Sequence, residues 1–299
     1  MLFSSKPDPL FNVLNLMNWT AAVLHFVQFV VTLVLAIKYT DFSQPVYSQY
    51  FSEDREEMVF EQTSGWQIVY MVPSFLLTCF ASHVYVLWFR EEYVGKLVNF
   101  TNPVRWAECS ISAPLMIVCI GMLGGLSTIS EIVMAWALCF CSYWFGWAFE
   151  EINSAEMMEE HREASSSAVT GGGGGGGGEE EIKEPVTNNN TAAAADAHNP
   201  YVFEVDWTAF YAGLVPTIMM WIALLIPFIR SITVIHGFVI GILVSTFFVF
   251  NCFPAVTVYQ FRSPRSLTKY LKGEAVFIIL SFSVKSLLAW QLVAGIIFR

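Results

Sequence analysis

Two charged residues sit where charge is costly. Lys285 lies ten residues into the apolar run 275–298, and Glu108 lies in the apolar run 106–128. Ten residues of helix rise about 15 Å, half of a bilayer's ~30 Å hydrocarbon core, so Lys285 is too deep to snorkel to water. A charge there costs about 2.5–3.5 kcal/mol on insertion scales and needs a partner or a purpose. Condensation with a carbonyl ligand, forming a Schiff base, gives the amine a purpose. The plainer alternative is a structural lysine paired inside a helix bundle.

Glu108 is the only carboxylate of its run, in Arg105-Trp-Ala-Glu108-Cys-Ser. A carboxylate beside a protonated Schiff base keeps that base charged. Arg105, one turn earlier, is expected to hold Glu108 ionised, unless it is simply an interfacial arginine. Ser281, four residues before Lys285, shares its helix face and can hydrogen-bond either group. Ser112 and Met116 continue the face of Glu108 at i+4 and i+8, and Phe247 and Phe250 offer a further wall of a ligand pocket. For Met116 and these aromatics, ordinary helix packing explains the residue type equally well. His25, Gln28 and His83 are polar groups in apolar runs, with His25 and Gln28 on one face. Buried polar groups need partners, so they form either an interhelical hydrogen-bond network or a hydrated cavity exchanging protons with Glu108.

The elements that must position these residues are membrane spans. Apolar residues make up 55% of the chain and charged residues 13%, too apolar for one water-soluble core. Seven stretches are long enough to span: 17–37, 66–89, 106–128, 132–149, 207–229, 231–261 and 275–298. Pro73, Pro114, Pro216 and Pro254 predict kinks, which membrane helices tolerate. The first run is too long for a signal-peptide core and lacks a small-residue cleavage site, so it is expected to remain as a span. The expected fold is an all-α membrane protein, a bundle of seven transmembrane helices with its N-terminus inside. Residues 1–149 would carry helices one to four with an outer loop at 38–65, and 204–299 helices five to seven. All six cysteines fall inside the predicted spans, where packing is the expected role; no Cys/His spacing suggests a metal.

Between the two groups of spans, residues 150–203 carry ten Glu and one Asp against Arg162 and Lys183, so nearly all of the net charge of −10 sits there. With an acidic stretch at Glu150–Glu163 that suits a helix and eight glycines from Gly171 to Gly178, this segment reads as a disordered acidic linker, and lacks the Lys-Ser/Thr of a phosphate loop. The loop 38–65 mixes Tyr47, Tyr50, Phe51, Val59 and Phe60 with acids, which suits a short hairpin on the membrane surface. Lysines and arginines outside the spans divide ten to four in favour of a cytoplasmic N-terminus and an external C-terminus. In that arrangement the third and seventh helices both start at the cytoplasm. Side chains lean toward a helix's N-terminus, so Glu108 and the Lys285 amine can meet.

The segments Tyr270-Leu-Lys-Gly-Glu274 and Ser281-Phe-Ser-Val-Lys285-Ser-Leu-Leu-Ala-Trp-Gln291 resemble the last helix of heliorhodopsins. Arg105-Trp-Ala-Glu108 resembles their third-helix counterion motif, and His25-Phe-Val-Gln28 their first-helix polar pair. The similarity spans all seven helices and leaves the Gly-rich loop uncovered. It implies a rhodopsin-like bundle inverted in the membrane, a retinal photoreceptor that is usually a homodimer, with all-trans retinal in the dark. It assigns Lys285 to the retinal linkage, Glu108 to the counterion, Ser281 to the Schiff-base hydrogen bonds, and His25 and His83 to a cytoplasmic polar cavity that Gln28 and Arg105 would complete. Cys109 departs from the pattern, since a Tyr commonly follows the counterion.

The expected function is light sensing without ion pumping, by a non-enzymatic protein that passes a shape change to a cytoplasmic partner. A light-driven or light-gated ion transporter is one alternative, and a light-dependent regulator of a partner enzyme another. A chromophore-free receptor fits poorly, because Asp-Arg-Tyr after the third helix and Asn-Pro-x-x-Tyr in the seventh are absent. Lipid is an expected partner and nucleic acid is not.

Overall fold

A computed structural model describes residues 9–38, 43–170, 204–262 and 266–297. Its helices are α1 (Leu10–Lys38), α2 (Met71–Trp88), α3 (Arg90–Val98), α4 (Pro103–Gly124), α5 (Ile129–Thr170), α6 (Thr208–Ser231), α7 (Gly237–Phe261) and α8 (Leu267–Ile297). Seven are long and apolar enough to cross a membrane, with α3 a short connector between two of them. Strands β1 (Gln44–Ser52) and β2 (Glu57–Trp66) form the antiparallel hairpin expected of the loop. Tyr47 ties it to the α4–α5 turn through its N–H, 2.9 Å from the Ser127 carbonyl.

The sequence dictates sharp helix ends where the bundle turns. Asn102 caps α4 by accepting from the Arg105 N–H at 3.1 Å, and Pro103 follows in the first turn, where a missing N–H costs nothing. The helix ends at Gly125, whose φ of 114° is left-handed. Thr128 and Glu131 then cap α5 reciprocally, Thr128 Oγ1 accepting from the Glu131 N–H and Glu131 Oε2 from the Thr128 N–H. Pro73 falls in the first turn of α2, while Pro114, Pro216 and Pro254 lie within α4, α6 and α7.

The other spans surround α4. It packs against α2, α5, α6 and α7, while α1 bridges α2 and α8. Within its span 83% of residues are buried, whereas every other span is less than half buried. The exposed faces are rich in Leu, Ile, Val, Phe and Trp, as a lipid-facing surface requires. The core runs along α4 from Ala113 to Leu123. A second cluster, built on Leu97, Phe100, Phe149, Phe261 and Tyr270, closes the α3 end.

The helix α5 corrects one boundary. The linker is expected from residue 150 with a helical stretch over 150–163, and the helix here runs on from α5 without a break to Thr170. Its first turns past the apolar stretch are held, with Glu150 and Asn153 buried and Asn153 Oδ1 accepting from the Asp206 N–H at 2.8 Å. Just before α6, Asp206 Oδ1 accepts from the Thr208 N–H at 2.8 Å, and hydrogen bonds from Thr208 hold its exposed carboxyl below the usual range. The Gly171–Gly178 tract lies outside the described residues.

Candidate functional site

At the centre of the bundle, Lys285 Nζ donates to Glu108 Oε1 at 2.7 Å and to Ser281 Oγ at 2.5 Å. Lys285 is 3% exposed and Glu108 is buried, so the pair is shielded from water. A further donor to the carboxylate is Cys79 of α2, whose thiol lies 3.1 Å from Glu108 Oε1. Cys109 Sγ lies 3.4 Å from Oε2. Burying two charges is favourable only with good geometry and further hydrogen bonds, which Ser281 and Cys79 supply.

Arg105 does not serve Glu108. Its guanidinium reaches away from it, to Glu150 of α5 at 2.6 Å and to Glu274 of α8. Glu150 also accepts from Tyr270 Oη at 2.6 Å, from the Asn102 N–H at 2.9 Å and from Trp106 Nε1. Glu274 also accepts from Asn102 Nδ2 at 2.6 Å and Gln260 Nε2 at 2.9 Å. The cluster ties α4, α5, α7 and α8 together near α3. In the sequence its two acids mark only a loop boundary and a helix end. The available signal for the cluster is an acid bordering an apolar span on each side of a lone arginine.

A cavity of 50 Å³ joins the two centres, lined by Glu108 and Ser281 at one end and by Asn102, Arg105 and Glu274 at the other. His83, Asn18 and Tyr93 complete its wall. Burial and the nearby Glu274 push the Tyr93 phenol well above its usual range, so it stays protonated. His83 Nδ1 pairs with Asn18 Oδ1 at 2.8 Å, and His25 stacks on His83 with ring centroids 5.7 Å apart. Both ring nitrogens of His25 are buried without a hydrogen-bond partner. Neither His25 nor Gln28 lines this cavity, and Gln28 bonds Ser286 at 2.9 Å, one residue beyond Lys285. A separate groove of 390 Å³ runs from Glu92 and Lys96 on α3, between α2 and α4, to Glu108.

An apolar cavity with 100 Å³ of open space lies between α4, α5, α6 and α7. Cys109, Cys139, Tyr143, Met220, Trp221 and Phe250 are among its walls. Lys285 is not; Cys109, next to Glu108, is where cavity and amine approach each other. Ser112 and Met116 are fully buried but are not among the walls of this cavity, whereas Phe250 is. Phe247 does not: it is 39% exposed and meets Trp221 edge-on at 5.0 Å. A shielded amine, a carboxylate that balances its charge and an adjoining aromatic cavity fit the chemistry of a conjugated aldehyde. The open space is small, so side chains around it must move outward to admit one.

A model of the heliorhodopsin family matches residues 14–171 and 186–297. No curated protein matches in sequence. Among solved structures, Exiguobacterium sibiricum rhodopsin is 10% identical with a TM-score of 0.57, covering 95% of this chain and 96% of that one. A light-driven proton pump from Leptosphaeria maculans is 12% identical with a TM-score of 0.56, covering 94% and 95%. Thermophilic rhodopsin from Rubrobacter xylanophilus is 11% identical with a TM-score of 0.55, over the same shares. At such identities the likeness establishes the seven-helix fold.

Proposed function

The chain belongs to the heliorhodopsin family, and we propose that it is a light sensor that carries retinal on Lys285 and does not pump ions. The observation that carries this reading is the Lys285 amine, buried in mid-bundle with Glu108 at 2.7 Å and Ser281 at 2.5 Å. Lys285 would hold all-trans retinal, and the group would supply a light-absorbing polyene. The protein's own groups do the rest. Glu108 balances the positive charge at Nζ, Ser281 accepts the Nζ proton's hydrogen bond, and Cys79 fixes the carboxylate. Protein purified with all-trans retinal should be coloured, and should bleach with hydroxylamine under light. A colourless product would overturn the proposal.

The absence of pumping is argued from one-sidedness. A pump needs ionisable groups on both sides of its switch, because unpaired charge in lipid-like surroundings is costly. On the α3 side, Glu108, His83, Arg105, Glu150 and Glu274 form a chain of polar groups. On the hairpin side, the described groups include Gln28 with Ser286, Ser245 donating to Gln291 at 3.1 Å, and the ionisable His236 only at the outer end of α7. Helix α7 has no Asp or Glu along its length, and Glu131 is engaged in capping α5. Cells expressing the retinal-bound protein should give no sustained photocurrent at zero driving force under voltage clamp. Such a current would contradict the proposal, and current only under an imposed gradient would favour a light-gated channel.

The same proposal places the α3 end in the cytoplasm, from the ten-to-four division of basic residues. An epitope at the N-terminus or within Gly171–Gly178 should be reached only from the cytoplasmic side, and one after Arg299 only from outside. Labelling of the C-terminus from inside would refute the orientation. With no catalytic motif of its own, the chain would act through a partner. The α5 extension is the surface such a cytoplasmic protein would read, and a homodimer is the expected assembly.

A further inference from the structure

We infer that Glu274 is the group that takes up the proton given up by Lys285 Nζ after light absorption. The inference rests on the retinal reading above and goes beyond it by naming the acceptor. Three observations carry it. The first is a charge count. Glu150 and Glu274 share one guanidinium, that of Arg105, and among the described residues no other cation pairs with either. All three side chains are nine-tenths or more buried, so with both acids ionised the cluster holds one uncompensated negative charge. Buried charge without a partner is costly, and one proton removes it.

The second observation selects between the two acids. Glu150 has four donors, about as many as a carboxylate has lone-pair positions, and does not line the cavity. Glu274 has three donors and lines the cavity. Beside it, Gln260 is fully buried, donates through Nε2 to Glu274 Oε1, and leaves its own Oε1 without a partner. Gln260 Nε2 also donates to the Tyr270 carbonyl at 3.0 Å, which holds the amide in place beside Glu274. Gly273 makes this arrangement possible, because a Cβ there would collide with Gln260 Cγ.

The third observation is the path. The 50 Å³ cavity is lined by Glu108 and Ser281 at one end and Glu274 at the other. A polar space needs about 10–15 Å³ to hold a water, so it has room for a short water relay. The N–H bond at Nζ breaks and a proton passes to Glu108. Water carries a proton on to Glu274, where a new O–H bond forms and Glu108 returns to its carboxylate. Nζ and Glu274 end neutral, with nothing oxidised or reduced. His83, Tyr93, Arg105, Cys109, Glu150 and Tyr270 are the other titratable groups facing the cavity or cluster. The charged tie between Arg105 on α4 and Glu274 on α8 then loses one of its charges.

Light-minus-dark infrared spectroscopy on the full retinal-bound chain tests the assignment. A C=O stretch of a newly protonated carboxyl should accompany loss of the Nζ proton. That band should vanish in Glu274→Gln, weaken without moving in Glu150→Gln, which removes the uncompensated charge, and move in frequency in Glu274→Asp. An unchanged band in Glu274→Gln overturns the inference. Should that variant not fold, an unshifted band in Glu274→Asp does so instead. A bulk pH indicator reporting one proton released per photocycle also overturns it, pointing to the groove toward Glu92. In the retinal-free protein, Glu274→Gln should speed backbone hydrogen exchange over residues 267–278 several-fold, and Glu274→Asp should restore protection. Unchanged exchange would refute the tie. Failure of the retinal reading shows itself separately, as a wild-type protein that never becomes coloured.

Discussion

Lys285→Ala should give a protein that stays colourless with all-trans retinal. In the described spans Lys285 is the deeply buried lysine, and the apolar cavity beside Cys109 offers no second amine. The effect on absorption should therefore be complete. Stability should fall too. Removing one partner of a buried ion pair costs about 3–5 kcal/mol, because the other charge is left alone. Part of this is recovered if Glu108 takes up a proton. Lys285→Met, which retains volume beside Leu288 and Ala289, should be equally colourless and lose less stability. Absorption spectra and thermal melts of the three proteins in detergent check both halves. A coloured Lys285→Ala protein without added amine would remove Lys285 from the linkage.

Glu108→Gln should change both the colour and its pH dependence. At 2.7 Å and an effective dielectric constant of about 20, the attraction between Nζ and the carboxylate is roughly 6 kcal/mol. One pH unit corresponds to about 1.4 kcal/mol. The neutral amide withdraws support from the cationic form, so the proton leaves at lower pH. The midpoint of the visible-to-near-ultraviolet titration should fall by roughly two to four pH units, with the remaining hydrogen bonds from Ser281 and the introduced amide limiting the shift. The fraction still protonated should absorb at longer wavelength, because a nearby negative charge stabilises the ground state more than an excited state whose charge has moved along the polyene. An unchanged midpoint would deny Glu108 the role.

These residues were legible because a lone charge in an apolar span has few explanations. Lys285, Glu108 and Ser281 declare themselves by type and spacing, and the spans by length and hydropathy. What stayed hidden depends on contacts between distant segments. Arg105 lies three residues from Glu108, yet its partners are 45 and 169 residues away, and no local spacing encodes them. Cys79 passes for a small packing residue until α2 brings its thiol to Glu108. Gln28 shares a helix face with His25 but pairs with Ser286 on α8. In α7, apolar on all sides, nothing in the sequence fixes which face turns inward, so Phe250 lines the cavity while Phe247 points outward.

The central claim is a covalent bond at one nitrogen. Borohydride reduction of the pigment, proteolysis and mass spectrometry locate it directly. The account predicts a retinyl adduct on the peptide containing Lys285 and on no other lysine. An adduct on a different lysine, or a coloured protein that yields no adduct at all, would contradict it.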